Sequence, residues 1–178
     1  MNIAALSSIL VFSTSLTIGF LVLSKGSSKK VNVVWFFFCI TVSLWGFGSY
    51  RVFITSDKQS AFFWWQIATI AQMLTPVLYY NFIYVYCNLK NKYQKYILAG
   101  AYALVFVFIF SGILSPEEIY GDLRLVFNQY YVPDWLIRKN LLYLVSYFVL
   151  YWVLLLYTFL VLLNTYKGSK GVTRNQIK

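Results

Sequence analysis

Five stretches of this chain, residues 1–24, 31–50, 60–89, 96–115 and 140–166, contain no charged side chain. Each is about as long as a bilayer requires, since roughly 30 Å of hydrocarbon at about 1.5 Å rise per helical residue needs about 20 residues. The gaps between them are short and leave little room for a large soluble domain. Composition points the same way. The chain is 60% hydrophobic and 11% charged, with a mean hydropathy of +0.66. A soluble domain averages about 45–50% apolar and about 25% charged residues. The expected fold class is therefore all-α: a polytopic transmembrane bundle of about five helices. A membrane β-barrel would show alternating segments of about ten residues, and none stands out.

The first apolar run differs from a cleaved signal peptide. No basic residue precedes it, no A-x-A-like site follows it, and Lys25, Lys29 and Lys30 come after it. This is the pattern of an uncleaved anchor with its N-terminus outside. The distribution of charge extends the argument. Lys25, Lys29 and Lys30, then Lys90, Lys92 and Lys95, then Lys167, Lys170, Arg174 and Lys178 fall on one side of the bundle, with no acid among them. The other side carries Arg51, Lys58, Arg124, Arg138 and Lys139 together with every acid in the chain: Asp57, Glu117, Glu118, Asp122 and Asp134. Lys and Arg in short loops favour the cytoplasmic face. The N-terminus is then outside and the C-terminus inside, which requires an odd number of crossings. The expected location is the inner (plasma) membrane of the cell, in several passes. The net charge of +10 is thus a property of one membrane face, set against anionic lipid headgroups, and no nucleic-acid partner is expected.

The expected helices span residues 2–23, 31–53, 61–89, 96–114 and 141–163. They form one bundle over residues 1–166, and residues 167–178 form a basic cytoplasmic tail. Ser7, Ser8, Ser13, Thr14, Ser15 and Thr17 make the first helix rich in small hydroxyls, which suits close helix packing in lipid. The second ends in Trp45, Gly46, Gly48, Tyr50 and Arg51, and the third begins with Phe62, Phe63, Trp64 and Trp65. Aromatic rings and a snorkelling Arg are ordinary at a membrane interface. Pro76 lies inside the third helix and should kink it. The longest connection, residues 115–139, is punctuated by Pro116, Gly121 and Pro133. Within it Leu123–Val126 suits a short strand, and Tyr130, Tyr131 and Trp135 suit the interface.

Catalytic chemistry is hard to place. The chain has no His, and no acid lies within a charge-free run. His-dependent nucleophilic catalysis is excluded, and zinc or iron sites lack their usual ligand clusters. No phosphate-binding glycine loop is present. No enzyme activity, metal or cofactor is expected. Cys39 and Cys87 read as small hydrophobes in or near apolar runs. The absence of charge from mid-span also argues against a proton-coupled transporter or an ion pump.

Two groups of residues remain as candidates. At about 100° per residue, Gln66, Thr69, Gln72, Pro76 and Tyr80 share one face of the third helix within about 120° of arc. Glutamine in hydrocarbon is costly unless paired, so this face should point into the bundle. It serves either as interhelical hydrogen bonding or as a ligand-facing wall beside a proline hinge. The second group is Glu117, Glu118, Asp122 and Asp134 in the outer loop, which either capture a cation or cationic peptide or are simply solvated.

Several segments together resemble a known family. They are the basic turn 25–30, the run Trp45-Gly46-Phe47-Gly48-Ser49-Tyr50, the third helix with Gln66 to Gln72 followed by Thr75-Pro76-Val77-Leu78-Tyr79-Tyr80, the long outer loop, and the inner run Gly171-Val172-Thr173-Arg174-Asn175-Gln176-Ile177. The pattern resembles the N-terminal seven-helix membrane region of bacterial sensor histidine kinases. That resemblance implies a sensory input domain that passes a signal to a cytoplasmic output module. The expected partners are a cytoplasmic signalling module or a homodimer, and a small ligand of unknown identity. It also implies sixth and seventh helices, a phospho-accepting histidine and an ATP-binding domain, none of which this sequence contains. The expectation is therefore a sensor-like membrane module without kinase activity of its own. A small transporter or channel component, or a structural membrane subunit, is the alternative.

Overall fold

In hydrocarbon, backbone N–H and C=O groups find no water, so a spanning segment must satisfy them within itself and becomes helical. The computed structural model describes residues 3–26, 29–89, 91–126, 130–133 and 140–168. It contains five helices long and apolar enough to cross a membrane. The first four are α1 (Ile3–Ser24), α2 (Lys30–Ile54), α3 (Lys58–Tyr86) and α4 (Lys92–Leu114). A short helix α5 (Pro116–Tyr120) and a hairpin of β1 (Leu123–Val126) with β2 (Tyr130–Pro133) follow. The fifth span is continuous but changes geometry: α6 (Leu141–Tyr147), a π-helical segment (Phe148–Leu154) and α7 (Leu155–Gly168). The strand expected at 123–126 has an antiparallel partner, with Leu123 opposite Pro133 and Val126 opposite Tyr130.

Short polar side chains set several boundaries. The Asp57 carboxylate accepts the Ser60 N–H at 2.8 Å, the Asn91 side chain accepts the Tyr93 N–H at 3.0 Å, and Asn140 accepts the Tyr143 N–H at 3.1 Å. Each satisfies a donor that a helix N-terminus leaves without an intrahelical partner. Consequently α3 begins at Lys58 rather than 61, and α4 at Lys92 rather than 96. Lys92 and Lys95 are helical residues rather than loop residues. At its other end α3 stops at Tyr86, short of the expected residue 89. There Asn88 adopts a positive φ of 49°, and the Leu89 N–H returns to the Tyr84 carbonyl at 3.1 Å. Asn tolerates that left-handed conformation better than most residues. Lys167 belongs to α7, and the rest of the expected tail, with its 171–177 run, lies outside the described residues.

Neighbouring helices run antiparallel, and α2 lies between α1 and α3. Two glycines on α2 permit this. A methyl group at Gly46 would come within 2.9 Å of the Ser8 carbonyl and the Phe12 amide on α1, and one at Gly48 within 3.0 Å of Ala68 Cβ and the Trp64 carbonyl on α3. Close backbone approach through small residues is how helices gain packing energy in lipid. Of the small α1 residues, Ser8 lies at this approach and is half-buried, and others face away from it. Ser7, Ser13, Thr14 and Thr17 are exposed, and each donates to a carbonyl three or four residues back in its own helix. A hydroxyl satisfied in this way needs no partner helix.

The interior is built on α3, which packs against α2, α4, α5, β1, the π-helical segment and α7. Its buried residues include Trp65, Met73, Val77 and Tyr80. Toward the acidic end, Phe108 of α4 meets Tyr120 edge-on and Tyr143 at a tilt, each with ring centroids 5.9 Å apart. At this end α5 and the hairpin cover the bundle. The Trp65 indole N–H donates to the Tyr120 carbonyl at 3.0 Å, and the Tyr131 hydroxyl donates to the Ser56 carbonyl at 3.4 Å. Tyr131 is therefore a buried strut rather than an interface residue, while Trp135 lies outside the described residues. The covered end carries Asp57, Glu117, Glu118 and Asp122. The opposite end carries Lys25, Lys29, Lys30, Lys92, Lys95 and Lys167, with no acid among the described residues.

Candidate functional site

The main feature of the interior starts from a missing atom in the sequence. Proline has no N–H, so at position 76 the helical bond to the carbonyl four residues back cannot form. That carbonyl belongs to Gln72. The Tyr151 hydroxyl, on the fifth span, donates to it at 2.7 Å. Pro76 is buried and Tyr151 half-buried, so the bond lies within the bundle. An unmet buried carbonyl would cost about 1–3 kcal/mol, which explains why a donor from another helix is held there.

Tyr151 lies in the π-helical segment. The wider turn of that segment leaves the regular helical hydrogen-bond ladder locally interrupted, and such bulges are common where helices do mechanical or chemical work. Tyr143, Tyr147 and Tyr151 recur every fourth residue and stack along the helix. Their ring centroids are 6.2 Å and 4.7 Å apart, with interplanar angles of 9° and 17°. The stack runs from the Phe108 cluster near the acidic end to the proline junction.

Beyond the proline, α3 is fastened to its neighbours. The Tyr80 hydroxyl donates to the Gln94 side chain, and its ring lies 5.9 Å from that of Tyr157. The Asn81 amide donates to the Tyr102 hydroxyl at 2.9 Å. Before the proline, Thr69 is fully buried and its hydroxyl meets no hydrogen-bond partner among the described residues; the same holds for Ser146 on α6.

The stripe expected on α3 therefore faces the bundle. Thr69, Pro76 and Tyr80 are buried, and Gln66 and Gln72 are half-buried. Gln72 enters the junction through its backbone carbonyl. The stripe's partners, Tyr151, Tyr157 and Gln94, were not singled out from sequence. Two signals bear on them: the four-residue spacing of Tyr143, Tyr147 and Tyr151, and the carbonyl that Pro76 must leave free.

A cleft of about 640 Å³ opens at the acidic end, lined by Asp57, Lys58, Gln59, Phe62, Glu117, Gly121 and Asp122. Of the four outer-loop candidates, Glu117 and Asp122 line it, and Glu118 is exposed beside it. Asp134 lies outside the described residues. Gly121, at a φ of 71°, supplies a conformation that side chains disfavour and turns the chain from α5 into β1. Asp122 bridges Lys58 at 2.8 Å, and the Lys58 ammonium beside it holds its carboxyl below the usual range. The Ser60 N–H likewise lowers the Asp57 carboxyl. Both acids are thus ionised at neutral pH. The wall offers carboxylates, an ammonium and the Phe62 ring, a surface for small polar or cationic molecules. No cluster of three or more metal-ligating side chains occurs among the described residues.

Compared with known proteins, the chain matches no family model, no curated protein and no solved structure.

Proposed function

We propose that this polytopic membrane protein is a sensory input module. In this proposal the cleft at the acidic end receives a small ligand, and the Pro76–Tyr151 junction carries the response toward the lysine-bearing end. The observation that carries the reading is the bond from the Tyr151 hydroxyl to the Gln72 carbonyl. It joins the carbonyl that Pro76 leaves free on one span to a π-helical segment on another, so sliding of either span makes or breaks it. A bond of this kind, worth about 1 kcal/mol net, shifts a two-state equilibrium about fivefold. The Tyr143–Tyr147–Tyr151 stack links the junction to the covered end, and α7 continues from it to Lys167. The resemblance of the Trp45–Tyr50 and Thr75–Tyr80 runs to the sensor region of histidine kinases supports the same reading.

The proposed orientation places the acidic end outside and the lysine-bearing end in the cytoplasm, following the bias of Lys and Arg. A cytoplasmic signalling module is then the partner that receives the output. Fusion of the chain to a histidine-kinase output domain tests the proposal. Tyr151→Phe, and separately the combined change of Gln66 and Gln72 to Leu with Pro76→Ala, are expected to lock or abolish the signal while insertion stays normal. Normal insertion with unchanged signalling in both variants contradicts it.

A further inference from the structure

Trp152 stands where a tryptophan is costly. It lies about 18 Å along the axis from the Asn140 cap and about 22 Å from Lys167, near the middle of the fifth span. It is also 66% exposed. Trp favours the membrane interface, where its N–H finds water and headgroups. At mid-depth a lipid offers only hydrocarbon, and a donor left unmet there costs free energy. The Trp152 N–H has no hydrogen-bond partner among the described residues.

An acceptor lies on another face of the bundle. Among the described residues, the exposed hydroxyl and amide side chains at mid-span are Ser13, Thr14 and Thr17, all on α1. The Thr14 hydroxyl donates to the Leu10 carbonyl at 2.7 Å, which uses its hydrogen and leaves a lone pair to accept. Contacts across the bundle fix the relative depth of the two groups. Gly48 of α2 faces Trp64 and Ala68 of α3, and Gln72, whose carbonyl meets Tyr151, lies about 9 Å farther toward the lysine-bearing end. Gly46, one short step from Gly48 in that direction, faces Ser8 and Phe12 of α1, which puts Thr14 about 9 Å beyond the level of Gly48 as well. Thr14 and Trp152 are therefore at one depth. They belong to separate faces, since α1 packs on α2 whereas the fifth span packs on α3, α4 and α5.

We propose that these two faces meet between copies of this chain: the fifth span of one copy packs along α1 of the next, and the Trp152 N–H donates to the Thr14 hydroxyl. Both helices run from the acidic end to the lysine-bearing end, so copies inserted in one orientation hold donor and acceptor level. The register that pairs Trp152 with Thr14 also sets Phe148 beside Leu10 and Val145 beside Ser7, all of them exposed. In each pair the larger side chain is on the fifth span, so the two faces are complementary in size. Two fifth spans packed symmetrically would bring two donors together without an exposed acceptor. Because the faces differ, the contact is heterologous, and each copy keeps one face of each kind for a further copy. The proposal is independent of the sensory reading.

Photo-crosslinking of the full chain in vesicles of phosphatidylglycerol and phosphatidylethanolamine tests it. One population carries p-benzoyl-phenylalanine in place of Phe148, and an equal amount of isotope-labelled unmodified chain is mixed in. Adducts are expected on the labelled chain within residues 7–14. Adducts confined to lipid, or falling on the fifth span of the labelled chain, would overturn the proposal. Energy transfer between dye-labelled copies, followed as the same vesicles are diluted with lipid, supplies a second readout. Trp152→Phe, which keeps a ring and removes the N–H, and Thr14→Val should each weaken self-association about fivefold, and the two together no more than either alone. Self-association unchanged in either single variant, or losses that add in the double variant, would also overturn it.

Discussion

Helices α1 and α3 both have the length and composition of a membrane span, yet they occupy opposite positions in the bundle. In the most apolar 18-residue stretch of α1, 6% of residues are buried; in that of α3, 44% are. The more apolar helix is the outer one. In water the opposite would be expected, because burial there follows apolarity. In lipid the solvent is itself apolar, and position is decided by which helix has polar groups and backbone irregularities to satisfy. The hydroxyls of Ser7, Ser8, Ser13, Thr14 and Thr17 on α1 are satisfied by its own carbonyls. By contrast, α3 has a carbonyl freed by Pro76, an amide at Asn81 and a hydroxyl at Tyr80, and each finds its partner on another helix.

The comparison can be broken by substitution. The largest effect is expected where α3 is approached most closely. Gly48→Leu must displace Ala68 or the Trp64 backbone and should cost about 3 kcal/mol. The same enlargement at exposed Thr17 on α1, Thr17→Leu, should stay within about 0.5 kcal/mol. Unfolding in mixed micelles measures both, and equal costs would remove the distinction between the two helices.

A smaller effect concerns the junction. Tyr151→Phe should cost about 1 kcal/mol in the natural background. In the Pro76→Ala background the restored N–H takes the Gln72 carbonyl, and the same change should cost close to nothing. A double-mutant cycle reads this coupling. Additive costs would show that the hydroxyl and the proline are unrelated.

The smallest effect is electrostatic and confined to the covered end. Because the Asp122 carboxyl is depressed in the folded protein, its contribution is present above the ordinary carboxylate value of about 4 and is lost as pH falls through the lower folded value. Hairpin docking, followed by Trp65 fluorescence, should therefore hold from neutral pH to below about 4 and loosen only under stronger acid. Asp122→Asn should remove that acid step. An acid step that persists unchanged would assign it to another carboxylate.

Much of the fold was legible in the charge-free runs, because the bilayer imposes one length on every span. The boundaries were less so. Asp57 and Asn91 cap helices, and Lys92 and Lys95 belong to α4, so polarity at the interface does not mark a helix end. The α3 face was legible because 3.6-residue periodicity places Gln66, Thr69, Gln72, Pro76 and Tyr80 together. Its partner Tyr151 was not, since that contact joins residues 79 apart in the chain. The π-helical segment has no period of its own in FVLYWVL. Of the small α1 residues, Ser8 does lie at the close approach of Gly46, while Ser7, Ser13, Thr14 and Thr17 face outward, because a count of small residues does not say which face meets the neighbour.

The central claim is that Tyr151 satisfies the carbonyl that Pro76 leaves free. Isotope-edited infrared spectroscopy of the protein with a labelled Gln72 carbonyl observes that group directly. The labelled band is expected to shift to higher frequency in Tyr151→Phe, as the carbonyl loses its donor, and to stay in place in Tyr147→Phe. A band that does not move in Tyr151→Phe would contradict the account.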